Sequence, residues 1–234
     1  MLLTYFFSLF IFWSVLGFCT PPIYVIGDSH VRTFYGIPHC YPHHLGPRTM
    51  HRMGRDGFHP AELEQSGIHD GAVIVYVFGE IDVRYHIGRQ RDIHQRDEEE
   101  VLHTLATRYL QAILQNQSYY SNLMSIVYNI VPPIDIKVSP TDIIVPLTDP
   151  VFRYPVYGPL EERVRLTRRL NEILRSLCLE FGFLYLQVYD EYCDENGGLR
   201  YELSDGNVHI QQYYNQPIQQ QLFKIIADAQ QGHP

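Results

Sequence analysis

The chain has 234 residues, 45% of them apolar and 19% charged, enough for one medium domain with a full core. Its 26 acidic against 18 basic residues give a formal charge of -8, which argues against a general nucleic-acid surface. Cys19, Cys40, Cys178 and Cys193 show no Cys-x-x-Cys spacing, which argues against a structural zinc site; Cys178 and Cys193 are either a disulfide pair in a secreted protein or free thiols.

Residues 1–27 carry no charged side chain, and Leu2 to Cys19 is almost continuously apolar. This is the pattern of a signal peptide or an N-terminal membrane anchor, although no Lys or Arg precedes it. The expected organisation is therefore an apolar segment over 1–20 and a single domain over 21–234, in a secreted or membrane-anchored protein.

The run Ile23-Tyr24-Val25-Ile26 reads as a first buried strand, and it leads directly into Gly27-Asp28-Ser29-His30. A short strand is expected near Thr49–Met53. Ala72–Phe78 is a seven-residue apolar run, as a strand buried on both faces requires. Glu98–Gln115 places Leu102, Leu105, Tyr109 and Ile113 on one helical stripe. Met124–Val131 reads as a third long strand, stopped by Pro132 and Pro133. The Pro-rich stretch 133–160 reads as a long loop or lid. Leu160–Phe181 is helical, with Gly182 at its C-terminus. Phe183–Val188 is a further strand, and Gln212–Ala229 a closing helix. Strands alternating with helices predict a mainly parallel sheet covered on both faces. Asn116-Gln117-Ser118 is a formal N-glycosylation acceptor.

A strand that ends in a tight turn presents the next hydroxyl at the carboxyl edge of a parallel sheet, where ligands bind in such folds. Ser29 is thus the candidate nucleophile. Asp205-Gly206-Asn207-Val208-His209 supplies a candidate base, His209, and a candidate orienting acid, Asp205. That segment also has the composition of a simple turn. Gly79-Glu80-Ile81-Asp82 follows the second buried strand.

In their order along the chain, these three blocks resemble the SGNH (GDSL-like) hydrolase superfamily over roughly residues 23–228. The resemblance implies a flavodoxin-like three-layer α/β/α sandwich, a Ser-His-acid triad and no cofactor. It implies an oxyanion hole built from the Ser29 amide, a glycine amide taken to be Gly54 or Gly57, and a third block beginning at Gly79. The chain departs from the family pattern twice. Ile81 occupies the position of the family's Asn, and Asp205 precedes His209 by one residue more than usual. Arg84, two residues beyond Asp82, is a candidate substitute donor. Glu80, Asp82 and Arg84 are either substrate contacts or structural ion pairs. His43 and His44 are candidates to line a polar cleft, and Pro42 between the neighbouring histidines argues against a helical metal site. The expected activity is that of a serine esterase, deacetylase or acyltransferase acting on a polar, small-molecule or glycan O-ester. An inert binding protein of the same fold is the alternative. A metal-dependent phosphoesterase, prompted by Asp28-x-His30, is a third reading.

Overall fold

The computed structural model describes residues 21–58, 63, 65–135 and 155–232. The apolar segment 1–20 and most of the Pro-rich stretch lie outside the described residues. No described helix is long and apolar enough to cross a membrane.

Five strands form the sheet: β1 (Ile23–Gly27), β2 (Cys40–His44), β3 (Val73–Val77), β4 (Met124–Tyr128) and β5 (Leu184–Leu186). Every pairing is parallel and the spatial order is β2-β1-β3-β4-β5, the flavodoxin-like doubly wound arrangement expected from the sequence. Among the described residues the α-helices include α1 (Met50–Asp56), α2 (Ile87–Asp92), α3 (Glu98–Gln117), α4 (Leu160–Phe181), α5 (Tyr189–Tyr192) and α6 (Gln216–Gln230). The strand side chains divide by alternation. Tyr24, Ile26, Ile74, Tyr76 and Val127 pack against Met50 and Met53 of α1, Leu102 to Ile113 of α3 and Leu166 to Cys178 of α4. Ile23, Val25, Val73, Val75, Val77 and Ile126 face the opposite layer, where Val31, Phe34 and Ile218, Leu222 and Ile226 of α6 cover them. The result is the expected three-layer sandwich, with two cores on either side of one sheet.

Two expectations are corrected. Thr49–Met53 is not a strand: Thr49 caps α1, its side chain accepting the Arg52 amide. A strand was missed at Cys40–His44, where Pro42 interrupts the pattern. Among the described residues only β1 pairs with β2, so the strand is an edge there, where a proline is tolerated. Cys40, Cys178 and Cys193 are free thiols, and Cys178 is buried in the core. Asn116 is buried, with its amide donating to the Tyr76 hydroxyl at 2.7 Å. In the fold it is a core group rather than an exposed glycan acceptor.

Candidate active site

The site begins where β1 ends. Gly27 lies so close to β3 that a Cβ there would sit 2.0 Å from the Val77 carbonyl oxygen, so only glycine fits. The Asp28 amide donates to the same carbonyl, and the chain turns into a short 3-10 helix, Ser29–Phe34. Asp28 caps that helix by accepting the His30 amide. Ser29 therefore stands at the carboxyl edge of the sheet, as the first residue of the turn. Its amide donates to no acceptor among the described residues.

His209 and Asp205 reach the same edge from the far end of the chain. Ser204 and Ile210 form an antiparallel bridge, and the Asp205 amide donates to the His209 carbonyl at 2.9 Å. The five residues from 205 to 209 thus form a closed loop rather than a helical turn. Gly206 sits at φ 80°, a left-handed backbone that absorbs the additional residue. Asp205 Oδ1 accepts the amides of Asn207 and His209 at 2.9 and 3.3 Å. Its Oδ2 lies 2.7 Å from His209 Nδ1, and His209 Nε2 lies 2.7 Å from Ser29 Oγ. A carboxylate at Nδ1 holds the proton there and leaves Nε2 to accept from the serine hydroxyl. The one-residue offset is thus taken up by the hairpin geometry. Burial pushes the His209 pKa down, the neighbouring His30 pushes it further, and Asp205 opposes both.

The structure places the other candidates elsewhere. Gly54 lies inside α1, where a Cβ would press on the Arg108 backbone at 3.0 Å. Gly57 is the C-cap of α1, its amide donating to Met53. Both are packing or capping glycines rather than oxyanion donors. Gly79 stands at the exit of β3 with φ 117°, wedged against Met50 and Ile130. Arg84 is buried: Nε donates to Glu80 Oε1 at 2.7 Å and a terminal nitrogen to the Pro155 carbonyl at 2.6 Å. Glu80 and Arg84 form the structural ion pair. His43 stacks on Tyr24, with ring centroids 5.9 Å apart, and burial lowers its pKa. His44 is exposed and in register with Gly27.

Asp82 serves α1. It is buried, and its carboxylate accepts the Met50 and His51 amides at 2.6 and 3.2 Å, satisfying the first turn of that helix. Burial raises the Asp82 carboxyl from 3.8 to about 7, with the two amides pulling the other way. Below its unfolded value the group is protonated in both states. Between the two values the folded chain holds a proton that the unfolded chain releases, so Asp82's contribution to stability is lost as pH rises. Asp82→Asn should remove this slope. In urea unfolding at about pH 5 and about pH 7.5, wild type should lose stability relative to the variant on going to the higher pH. Parallel changes would contradict the assignment.

Sequence reasoning missed Gly46. It follows β2 two residues beyond His44, next to the Leu45 amide that donates to Gly27. Gly46 has φ 81°, and its amide donates to no acceptor among the described residues. The Gly46-Pro47 turn was the available signal, but it carries meaning only once Cys40–His44 is recognised as a strand. Among the described residues no group of His, Cys, Asp and Glu is arranged to hold a metal ion. Asp28 and His30, which read as a metal pair in the sequence, bond to each other.

No family model and no curated protein matches the sequence. Solved structures do match. A carbohydrate acetylesterase from Sinorhizobium meliloti superposes with TM-score 0.56 at 12% identity, over 90% of this chain and 100% of that one. A GDSL-like lipase from Bacteroides thetaiotaomicron gives 0.54 at 13% identity, over 88% of each chain. An acetyl xylan esterase gives 0.53 at 10% identity, over 87% of this chain and 99% of that one. The chain thus shares the three-layer α/β/α fold of these esterases and of the GDSL-like lipase.

Proposed function

We propose that the chain is a serine esterase of the SGNH type, acting on polar O-esters through an acyl-enzyme. The observation that carries this reading is the unbroken line Asp205–His209–Ser29, with both contacts at 2.7 Å. Ser29 Oγ attacks the ester carbonyl carbon while its proton passes to His209 Nε2. The tetrahedral oxyanion collapses, the C–O bond to the leaving alcohol breaks, and His209 returns the proton to that alcohol. Water then attacks the acyl carbonyl, giving its proton to His209; collapse frees the acid and the Ser29 hydroxyl. The Ser29 and Gly46 amides are the proposed donors to the oxyanion.

The substrate class rests on fold likeness to acetylesterases and on the exposed His44, in register with Gly27 two residues before the serine. The apolar segment 1–20 supports a secreted or membrane-anchored setting. Acetate release from O-acetylated oligosaccharides, followed alongside long-chain p-nitrophenyl esters, tests the reading. Turnover of the acetylated sugars above that of the long-chain esters is expected. Preference for the long chains would overturn the polar-ester assignment. A second reading, an inert binding protein of the same fold, is favoured by one observation: Ile81 stands where the family places its Asn donor.

A further inference from the structure

The residue after the nucleophile, His30, is buried and carries no role in the reaction just described. Its ring is held at both nitrogens: Nδ1 lies 2.9 Å from Asp28 Oδ1, and Nε2 lies 3.1 Å from the Val208 carbonyl oxygen. Both partners are acceptors only. A neutral imidazole offers one N–H, so full satisfaction of the pair requires the doubly protonated ring. The surroundings favour that charge. Asp28 Oδ2 and Glu80 Oε2 are buried oxygens without hydrogen-bond partners among the described residues.

Val208 immediately precedes His209, and the His30 and His209 rings are 4.8 Å apart between centroids. The loop that carries the base is one residue longer than the family spacing, and its own closure is the Asp205–His209 backbone bond. The bond from His30 is a second fastening, made from the nucleophile's own turn. We propose that His30 is a positioning residue: as an imidazolium it clasps the Val208 carbonyl and holds His209 within reach of Ser29. The proposal rests on the acyl-enzyme reading for its kinetic consequence, but its structural content stands apart from it.

Titration follows from this arrangement. The groups facing His30 are Asp28 on its own turn, Glu80 from the exit of β3 and His209 from the C-terminal loop. Burial alone would push the His30 pKa down; the Asp28 carboxylate, with help from Glu80 and the Val208 carbonyl, carries it up to about 9. Above that value the ring keeps one proton and one of its two contacts is lost. The reaction should therefore fall off on the alkaline side as well as on the acid side, where His209 takes up a proton.

The test uses the full chain as wild type, His30→Gln and Asp28→Asn. Glutamine can still donate to Val208 but does not titrate in this range. Two readouts are taken: the rate of Ser29 phosphonylation by a fluorophosphonate as a function of pH, and the low-field proton and nitrogen signals of the His209 ring. Loss of the clasp should slow phosphonylation about 10- to 100-fold in Asp28→Asn, since small misplacements of reacting groups have effects of that order. His30→Gln should react closer to wild type and lack the alkaline fall. In the ring spectra, Asp28→Asn should shift or broaden the His209 signal. A wild type that is never phosphonylated would remove the esterase reading. The His209 signal would then still decide whether His30 positions the loop. An unchanged His209 signal with unchanged pH profiles in both folded variants would overturn the proposal.

Discussion

Replacing Ser29 by alanine should abolish ester turnover while leaving the fold intact, a loss on the order of 10^4-fold or more. Ser29 is partly exposed and opens a helix, and among the described residues its hydroxyl hydrogen-bonds to His209. The loss is therefore chemical, and thermal unfolding of the variant should match wild type. His209→Ala should cost a comparable factor, and the double variant little more than either single one, because the two act as one unit. The pH profile carries a further signature. His209 is pushed below 6.5 by burial first and by His30 next. The base is then unprotonated at neutral pH, and the acid limb of kcat/KM should lie below 6.5. A limb above that value would mean that the surroundings of His209 have been misread.

Arg84 should have the largest effect on stability. It is buried, and it is the charged partner of Glu80, itself buried. Arg84→Met removes the cation hydrogen-bonded to the buried Glu80 carboxylate, at a cost of about 3–5 kcal/mol. For a chain of this size that corresponds to a Tm lower by roughly 6–20 °C. The double variant Arg84→Met/Glu80→Leu should recover part of the loss, because an apolar pair of similar volume avoids the desolvation of both ions while the His30 ring loses the support of the Glu80 carboxylate. Differential scanning calorimetry on the three variants measures this directly. A double variant less stable than Arg84→Met would mean that the support Glu80 gives His30 outweighs the desolvation of the Glu80–Arg84 pair.

The parts of this molecule that were legible in the sequence are those fixed by local burial. Ile23–Ile26 and Ala72–Phe78 are apolar without interruption because both faces of a central parallel strand are covered. The Leu160–Phe181 helix ends at Gly182, whose φ of 74° is the left-handed cap its position suggested. What failed depended on distant partners. Thr49–Met53 starts a helix partly because Asp82, more than thirty residues away, accepts its first amides. The strand at Cys40–His44 contains a proline that only an edge position permits, and nothing local marks it as an edge. Gly46, the proposed glycine donor, follows that edge strand and carries no local mark until the strand is recognised. Asp205 looked out of register because spacing was counted along the chain. A hairpin closed between Ser204 and Ile210 sets the distance across the loop instead. Glu80, Asp82 and Arg84 read as one cluster, yet they divide into an ion pair and a helix cap once the fold separates them.

The central claim is that Ser29 is an activated nucleophile, and the most direct measurement is covalent labelling of the full chain with a fluorophosphonate, read by peptide mass spectrometry. A single adduct on Ser29, absent from Ser29→Ala and strongly reduced in His209→Ala, is the result this structure predicts. No adduct on a demonstrably folded wild type, or an adduct on Ser29 that persists undiminished without His209, would contradict it.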